Sequence, residues 1–576
     1  MGEFLTISKG EHLAANSVPP VPRALPLGEP NIYPRWLPYA VSNSLPTWES
    51  VLGVANKESW VIEKIQCGYP RFHINKPVKG ILEAIRARLK LSDSVKCMVF
   101  PSSRAARDCA AVLTEATMDG NDFIECAHFF ASPRLNLGSE YAYWARFSAV
   151  VYPSDLSNIA MGFWRDFGDG ISPRHAAFCL ELFDYLDSDS THPILRTPAP
   201  RKHDQTELQR EANCFESALS NMFHVKSSIA HHVRPHQLQA APLTTDDIFI
   251  YPTGMAAISA ANRALLSLKP KSDVVLYGWL YVETVNVLRR SPWGQKISYH
   301  LGRDQDLDEL EGALLAGQHI TALFCELPNN IKLASFNLRR IWSLAQKYNF
   351  VVVCDATVGN LINIDILPLV DILTLSLTKA FSGVSNVTGG GIVLNPSSPR
   401  HGQLKDMLAS QYEDRYFPLD LATLKHNCVD LAARVHTYNA NTLPVVNLLK
   451  DHPCIACIYY PSLGPTAHYY ESYRRKGGGY GNVLSVIFHS PDSAVVFYDA
   501  LDVCKGPSIG TNFTLAIPFA WLSQYREKDN LEKYGVPRHI IRLSIGLEDV
   551  DQICKTVRRA LEKVEQLGHD KQGLPE

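Results

Sequence analysis

The residue best placed for covalent chemistry is a lysine that directly follows an apolar strand. Lys379 closes Ser376-Leu-Thr378-Lys379, after the apolar run Ile372–Leu375. Desolvation at such a position lowers an amine's pKa, which suits a Schiff-base lysine. Ser376 and Thr378 add hydroxyls suited to a phosphate; the plain alternative is a surface lysine at a strand end. A second candidate is Cys354-Asp355-Ala-Thr357, which ends the strand Val351–Val353. A buried Asp is costly unless paired. A pyridinium nitrogen of pyridoxal phosphate (PLP) would pair it and keep the ring an electron sink, whereas a helix N-cap would explain these residues equally well. Thr253-Gly254-Met255 lies between a strand and a helix, where free N–H groups meet a phosphate, although most such turns are only turns. Arg542, in Arg542-Leu-Ser-Ile-Gly-Leu-Glu548, has a fork that grips a carboxylate through two hydrogen bonds; a surface salt bridge is the ordinary fate of an arginine.

Three of these four segments fall near the C-terminal ends of predicted strands, where open α/β sheets bind ligands. The strands are Asp247–Tyr251, Val274–Tyr277, Ala322–Cys325, Val351–Cys354, Ile372–Ser376 and Gly391–Leu394. Helices at Ala256–Ser267 and Leu338–Lys347 alternate with them, which predicts a parallel sheet covered on both faces. Before this region, the prolines at 19, 20, 22, 26, 30, 34 and 38 predict an extended arm over 1–50. A helix over Lys79–Leu91, a strand over Val95–Phe100 and a helix over Gln205–Met222 follow. The resulting division is an N-terminal extension and arm over 1–245, a large domain over 246–418, a helical linker over 419–450 and a small α/β domain over 451–576, ending in a helix at Val550–Gln566.

The order and spacing of the four segments resemble the Cys/Met-metabolism family of PLP enzymes, which includes cystathionine γ-synthase. Thr253-Gly254-Met255 stands for the family's S-G-M phosphate motif, and Tyr281-Val-Glu-Thr284 for its Y-x-x-T segment, whose Tyr stacks on the ring. Glu326-Leu-Pro-Asn-Asn330-Ile331 stands for E-S-P-x-N-P, and Cys354-Asp355-Ala-Thr357 for V-D-x-T. Ser376-Leu-Thr378-Lys379 matches S-x-T-K, and Arg542–Glu548 matches R-L-S-x-G-x-E in full. Leu45-Pro-Thr-Trp48 and Gly68-Tyr-Pro-Arg-Phe72 are similar to the long fungal form of cystathionine γ-synthase. Ser172-Pro-Arg174 is matched to a Y-x-R segment that reaches a neighbouring subunit's phosphate, with the Tyr absent.

The resemblance implies the α/β fold of PLP-dependent transferases (fold type I): a large domain with a mainly parallel sheet, a smaller C-terminal α/β domain and an N-terminal extension. It implies Lys379 and Tyr281 as catalytic residues, and Gly254, Met255, Tyr281, Asp355, Thr357, Ser376, Thr378, Lys379 and Arg174 as cofactor contacts. Asn330, Ser508 and Arg542 would bind the amino-acid substrate. A homodimer or homotetramer in the cytoplasm is implied, and no metal. The expected reaction is γ-replacement on O-acyl-L-homoserine with cysteine. The alternatives are a carbon nucleophile such as a β-keto acid, or an inactive binding subunit. The chain departs from the family at Ile331, Val384, Thr388 and Phe513, where Phe513 replaces a Glu. These departures leave the PLP chemistry intact and put the second substrate in question.

Composition narrows the field. A net charge of -2 supplies no basic field for nucleic acid or anionic membrane. No stretch is apolar enough to span a bilayer, and no signal peptide is visible. Met1-Gly2 fits the loose myristoylation pattern, which short sequences match by chance. Thirteen cysteines in a chain of 576 residues read as reduced thiols, and Cys454-Ile-Ala-Cys457 as a buried strand in place of half a metal site.

Overall fold

The computed structural model describes residues 18–19, 21–117, 123–133, 139–200, 215, 217–234, 241–523 and 531–572. The first strands are β1 (Val95–Phe100), β2 (Glu125–Ala131), β3 (Arg146–Pro153) and β4 (Leu186–Ser190). They form an antiparallel sheet in the order β1-β3-β2-β4. Helices Lys76–Arg88 and Ser103–Glu115 pack on it, and the layer has its own core around Phe100, Phe129, Phe147 and Phe178.

The central sheet holds β5 (Ile248–Tyr251), β6 (Asp273–Tyr277), β7 (Lys296–Tyr299), β8 (Ile320–Glu326), β9 (Val351–Asp355), β10 (Ile372–Ser376) and β11 (Gly390–Leu394). Their order is β5-β11-β10-β9-β8-β6-β7. Alternate residues of each strand enter two cores. Val275, Leu323, Val352 and Leu373 face one, and Val274, Ala322, Val353 and Ile372 face the other. Burial on both faces is why these strands read as continuous apolar runs.

The pairing of β6 through β10 is parallel, as expected, but β11 runs antiparallel to both β10 and β5. The connection from Ser376 to Gly390 contains no helix, and a parallel return needs a crossover. Strand β7 was not anticipated; its residues are only half-buried, so the apolar signal is weak. The helix expected over Gln205–Met222 lies partly outside the described residues, and the described helix there runs Ala218–Val233.

Helices Pro418–Asn427 and Leu431–Lys450 lead to the last sheet. It comprises β12 (Ile455–Tyr459), β13 (Val483–Phe488), β14 (Cys504–Lys505), β15 (Leu515–Pro518) and β16 (Ile541–Ser544), in the order β12-β13-β16-β15-β14. The Cys454–Cys457 segment is a strand, but a half-buried one at the sheet edge. The closing helix extends over Val550–Gln572. No helix among the described residues is long and apolar enough to cross a membrane.

The N-terminal arm crosses between sheets. The Val41 amide donates to the Ser385 carbonyl (2.8 Å), and the Leu45 amide to that of Lys505 (2.9 Å). Ile32, Leu37 and Ala40 of the arm, with Cys67 beyond it, enclose Val384, one of the departures from the family pattern.

Candidate active site

Parallel strands β8, β9 and β10 all end at one edge of the central sheet, and each places a functional group there. Strand β10 ends at Ser376, just before Lys379. The Lys379 Nζ donates to Ser508 Oγ (3.1 Å) and lies 4.5 Å from the centre of the Tyr69 ring. Burial lowers the lysine's pKa, with Tyr69 opposing and the Arg542 and Arg71 cations adding to the fall. A lowered pKa favours an attacking amine.

Strand β9 ends at Asp355, whose Oδ1 accepts from the Thr357 amide (2.7 Å). Thr357 Oγ1 in turn accepts from the Ser376 amide (2.8 Å), locking the two strand ends together. Burial holds the Asp355 carboxyl above the ordinary carboxylate range, while its bonds to Thr357 oppose the rise. A cationic ring nitrogen is the kind of partner such a group accepts.

Strand β8 ends at Glu326, which pairs in register with Asp355. Its two carboxylate oxygens accept from the amides of Tyr281 and Asn330, both at 3.0 Å. One buried group therefore fixes two loops that carry expected site residues. Burial and the neighbouring Asp355 charge push the Glu326 carboxyl up strongly. Tyr281 precedes helix Val282–Arg290, and its ring packs beside Met255.

Strand β16 supplies Arg542, 6% exposed. Its fork donates to Asn330 Oδ1 (3.1 Å) and to the Ser508 carbonyl (3.0 Å). The guanidinium carbon lies 4.8 Å from the centre of the Phe519 ring, and burial lowers its pKa to about 10. Ser508 adopts φ +114°, a conformation an L-residue holds only where its surroundings impose it. The strain turns the Ser508 carbonyl to Arg542 and its hydroxyl to Lys379.

Helix Gly254–Leu268 begins behind β10. Thr253 caps it, accepting from the Ala256 amide (3.0 Å). A side chain on Gly254 would place its Cβ 3.0 Å from that of Ser376, so the helix terminus and the strand end meet closely. The Ser376 hydroxyl is buried without a hydrogen-bond partner. An unpartnered hydroxyl at a helix N-terminus fits a phosphate. Thr378 is already engaged: its Oγ1 accepts from the Gly389 amide (3.0 Å).

The structure thus brings together Gly254, Met255, Tyr281, Asn330, Asp355, Thr357, Ser376, Thr378, Lys379, Ser508 and Arg542. Arg174 sits apart from this constellation. It is buried in an ion pair with Asp420 (3.0 Å) and donates to the Asn386 carbonyl (2.8 Å). Such a charge is spent on tying the N-terminal layer to helix Pro418–Asn427. The arm's Tyr69-Pro70-Arg71 occupies the site instead. The Tyr69 hydroxyl reaches Thr378 Oγ1 (3.4 Å), and Arg71 donates to the Tyr281 hydroxyl (3.0 Å). The same Tyr-x-Arg spacing is present at 69–71 in the sequence and was the available signal. Glu326 and Phe519 were not singled out individually in the sequence.

The departures from the family pattern resolve locally. Thr388 Oγ1 donates to the Pro252 carbonyl (2.8 Å). Ile331 is fully buried with Trp279 and Phe519. Phe513 is 2% exposed, and its backbone lies against Gly546 in the small domain.

A model of the Cys/Met metabolism PLP-dependent enzyme family matches residues 237–562. A model of the N-terminal domain of fungal trans-sulfuration enzymes matches residues 77–172. The chain is 42% identical to the cystathionine gamma-synthase-like protein ankD of Aspergillus thermomutatus, over 94% of this chain and 95% of that protein. It is 33% identical to a cystathionine gamma-synthase of Neurospora crassa, over 94% and 98%. The cystathionine gamma synthase of Xanthomonas oryzae pv. oryzae, solved with cystathionine, shares the fold at a TM-score of 0.53 and 21% identity, covering 64% of this chain and 90% of that one. Site geometry, whole-length likeness and family match agree, and the chain belongs to the Cys/Met metabolism PLP-dependent enzymes.

Proposed function

We propose that this enzyme catalyses γ-replacement on an O-acyl-L-homoserine, with cysteine as the incoming nucleophile. The observation that carries the reading is the meeting of Lys379, Asp355 and the Arg542–Asn330 pair at one sheet edge, in a chain similar along its length to a cystathionine gamma-synthase.

Bound pyridoxal phosphate supplies an electron sink for charge developed at the substrate's Cα. In this reading Gly254, Met255 and Ser376 hold the phosphate, with Thr378 buttressing the loop. Asp355, oriented by Thr357, holds the ring nitrogen, and Tyr281 stacks on the ring. Arg542 and Asn330 grip the amino acid's carboxylate; the fork geometry fixes which Cα bond faces Lys379. The lysine amine, its pKa lowered by burial, takes the Cα proton and returns it. Ser508 orients the Nζ between transfers.

A second reading has a specific observation behind it. Trp279, Ile331 and Phe519 form an apolar wall beside Arg542. Such a wall favours a less polar partner, such as a β-keto acid ester forming a carbon–carbon bond, over zwitterionic cysteine. Product analysis with O-acetyl-homoserine and a panel of sulfur and carbon nucleophiles tests both. Absence of any product carrying the four-carbon unit would remove the γ-replacement reading.

A further inference from the structure

The strained Ser508 lies two residues before Gly510, where the loop after β14 meets the loop after β10. The two loops pack backbone to backbone. A Cβ on Gly510 would lie 2.4 Å from the Ala380 amide nitrogen, and the Asn512 amide donates to the Gly383 carbonyl (2.7 Å). A strained residue persists only where its surroundings over-determine it, and Gly510 is held at both ends. Its amide donates to Ser544 Oγ (2.9 Å), and its carbonyl accepts from the Tyr438 hydroxyl (3.2 Å).

Tyr438 is buried on helix Leu431–Lys450. One turn earlier, on the same face, is the buried Arg434. It spends its donors on main-chain carbonyls. Its Nη2 donates to Phe381 (2.8 Å), Asn427 (3.0 Å) and Ala380 (3.3 Å), and its Nε to Ala380 (3.4 Å). Its Nη1 is buried without a hydrogen-bond partner. A guanidinium held by neutral carbonyls, with one nitrogen unsatisfied, is a costly way to pack a helix. What it secures is the segment that directly follows Lys379. Two turns beyond Arg434, Asn441 Nδ2 donates to the carbonyls of Gly546 (3.1 Å) and Glu548 (2.9 Å), at the end of the segment that begins with Arg542. One helix face thus meets the loops of Lys379 and Ser508 and the segment of Arg542.

We propose that Tyr438 and Arg434 are positioning residues that set the Ser508 loop and the Lys379 loop on one helix, one turn apart, and so fix the hydrogen bond from Lys379 Nζ to Ser508 Oγ at its 3.1 Å. They act through the two loops and not on the substrate. The inference rests on the reading of Lys379 as the group that moves the Cα proton and of Ser508 as its orienting partner. Without the Tyr438 hydroxyl the Gly510 carbonyl loses a donor, Ser508 relaxes out of its strained conformation, and its hydroxyl turns away from Nζ.

The test is a double-variant cycle on the PLP-loaded protein without substrate, read as the pH midpoint of the lysine-linked absorbance. Ser508 Oγ accepts from Nζ, so the bond favours the protonated nitrogen and its loss should lower the midpoint. Ser508→Ala should lower it by about 0.5 pH unit, the worth of one hydrogen bond. Tyr438→Phe removes a single oxygen and should lower it by about the same amount. The double variant should then fall no further than Ser508→Ala alone. Arg434→Lys keeps the charge but cannot span three carbonyls, and should move the midpoint the same way. The other groups facing the lysine are Tyr69, Arg71 and Arg542, and every variant leaves them in place. An unmoved midpoint in Ser508→Ala or in Tyr438→Phe overturns the proposal, as do shifts that add in full in the double variant. If Tyr438→Phe fails to hold PLP, Arg434→Lys with and without Ser508→Ala decides by the same outcomes. Failure to turn over O-acetyl-homoserine counts separately against the function proposed above, because the absorbance is read before any substrate is added.

Discussion

At the scale of single residues, Lys379 and Arg542 carry distinguishable expectations. In the proposed function Lys379 moves the Cα proton, so Lys379→Ala should lower turnover by about 10²–10⁴-fold or more. It should also remove the lysine-linked absorbance of the bound cofactor. A variant with full activity would show that another base does the work. In the same proposal Arg542 grips the carboxylate with a planar fork that Lys cannot reproduce. Arg542→Lys should weaken amino-acid binding by about 1.5–3 kcal/mol, the worth of a hydrogen bond to a charged group, with the cofactor still bound. Steady-state kinetics and an absorption spectrum check this; an unchanged KM and kcat would place the carboxylate elsewhere. Both residues were legible in the sequence because each sits in a recognisable motif, Lys379 just after β10 and Arg542 on β16. Arg71 was legible only as part of the Tyr69-Pro70-Arg71 spacing; its reach to Tyr281, 210 positions away, was not, because no local pattern announces a contact so distant in the chain. Arg174 drew attention by its motif position, and within the chain it is buried in an ion pair with Asp420.

At the scale of elements, apolar runs buried on both faces made β8, β9 and β10 readable, whereas the reversal of β11 depended on a connection whose path the sequence does not state. The small domain's clearest motif ends at Glu548, and the structure gives that residue a thermodynamic role. Glu548 is 1% exposed, and its carboxylate accepts from the Thr514 amide (2.6 Å) and hydroxyl (2.8 Å). Burial raises its pKa to about 7, from an ordinary 4.5. Between those values the folded protein holds a proton that the unfolded chain has released. Stability contributed by this group is therefore present below the unfolded pKa and lost as pH rises through about 7. Glu548→Gln keeps an acceptor for the Thr514 amide and a partner for its hydroxyl. The variant should match the wild type near pH 4.5 and exceed it above about pH 7, by at most on the order of 3 kcal/mol. Urea unfolding at both pH values measures the difference. An equal gap at the two would mean that burial of the charge is not what Glu548 costs.

At the scale of the whole molecule, the apolar cluster proposed to meet the second substrate is assembled from three parts of the chain. Trp279 comes from the loop after β6, Ile331 from the loop after β8 and Phe519 from the end of β15. The sequence marked Phe513 as the apolar departure, but that residue is buried within the small domain, and Phe519 is the ring that lies against Arg542. Two aromatic positions six residues apart are indistinguishable by composition; only the turn into β15 and the placement of Arg542 on β16 separate them. On the proposed reading this cluster, whose Phe519 lies against Arg542, would bear on what reaches Cγ. Supplying O-acetyl-homoserine with equal cysteine and a β-keto acid ester, and resolving products by mass, measures the preference directly. If the wall admits a carbon nucleophile, the carbon adduct should appear beside cystathionine. Phe519→Ala should then reduce that adduct by about 10-fold or more, the worth of an apolar contact in a substrate pocket. Cystathionine as the dominant product, with no carbon adduct in wild type or variant, would remove the carbon-nucleophile alternative and leave Phe519 as packing for Arg542.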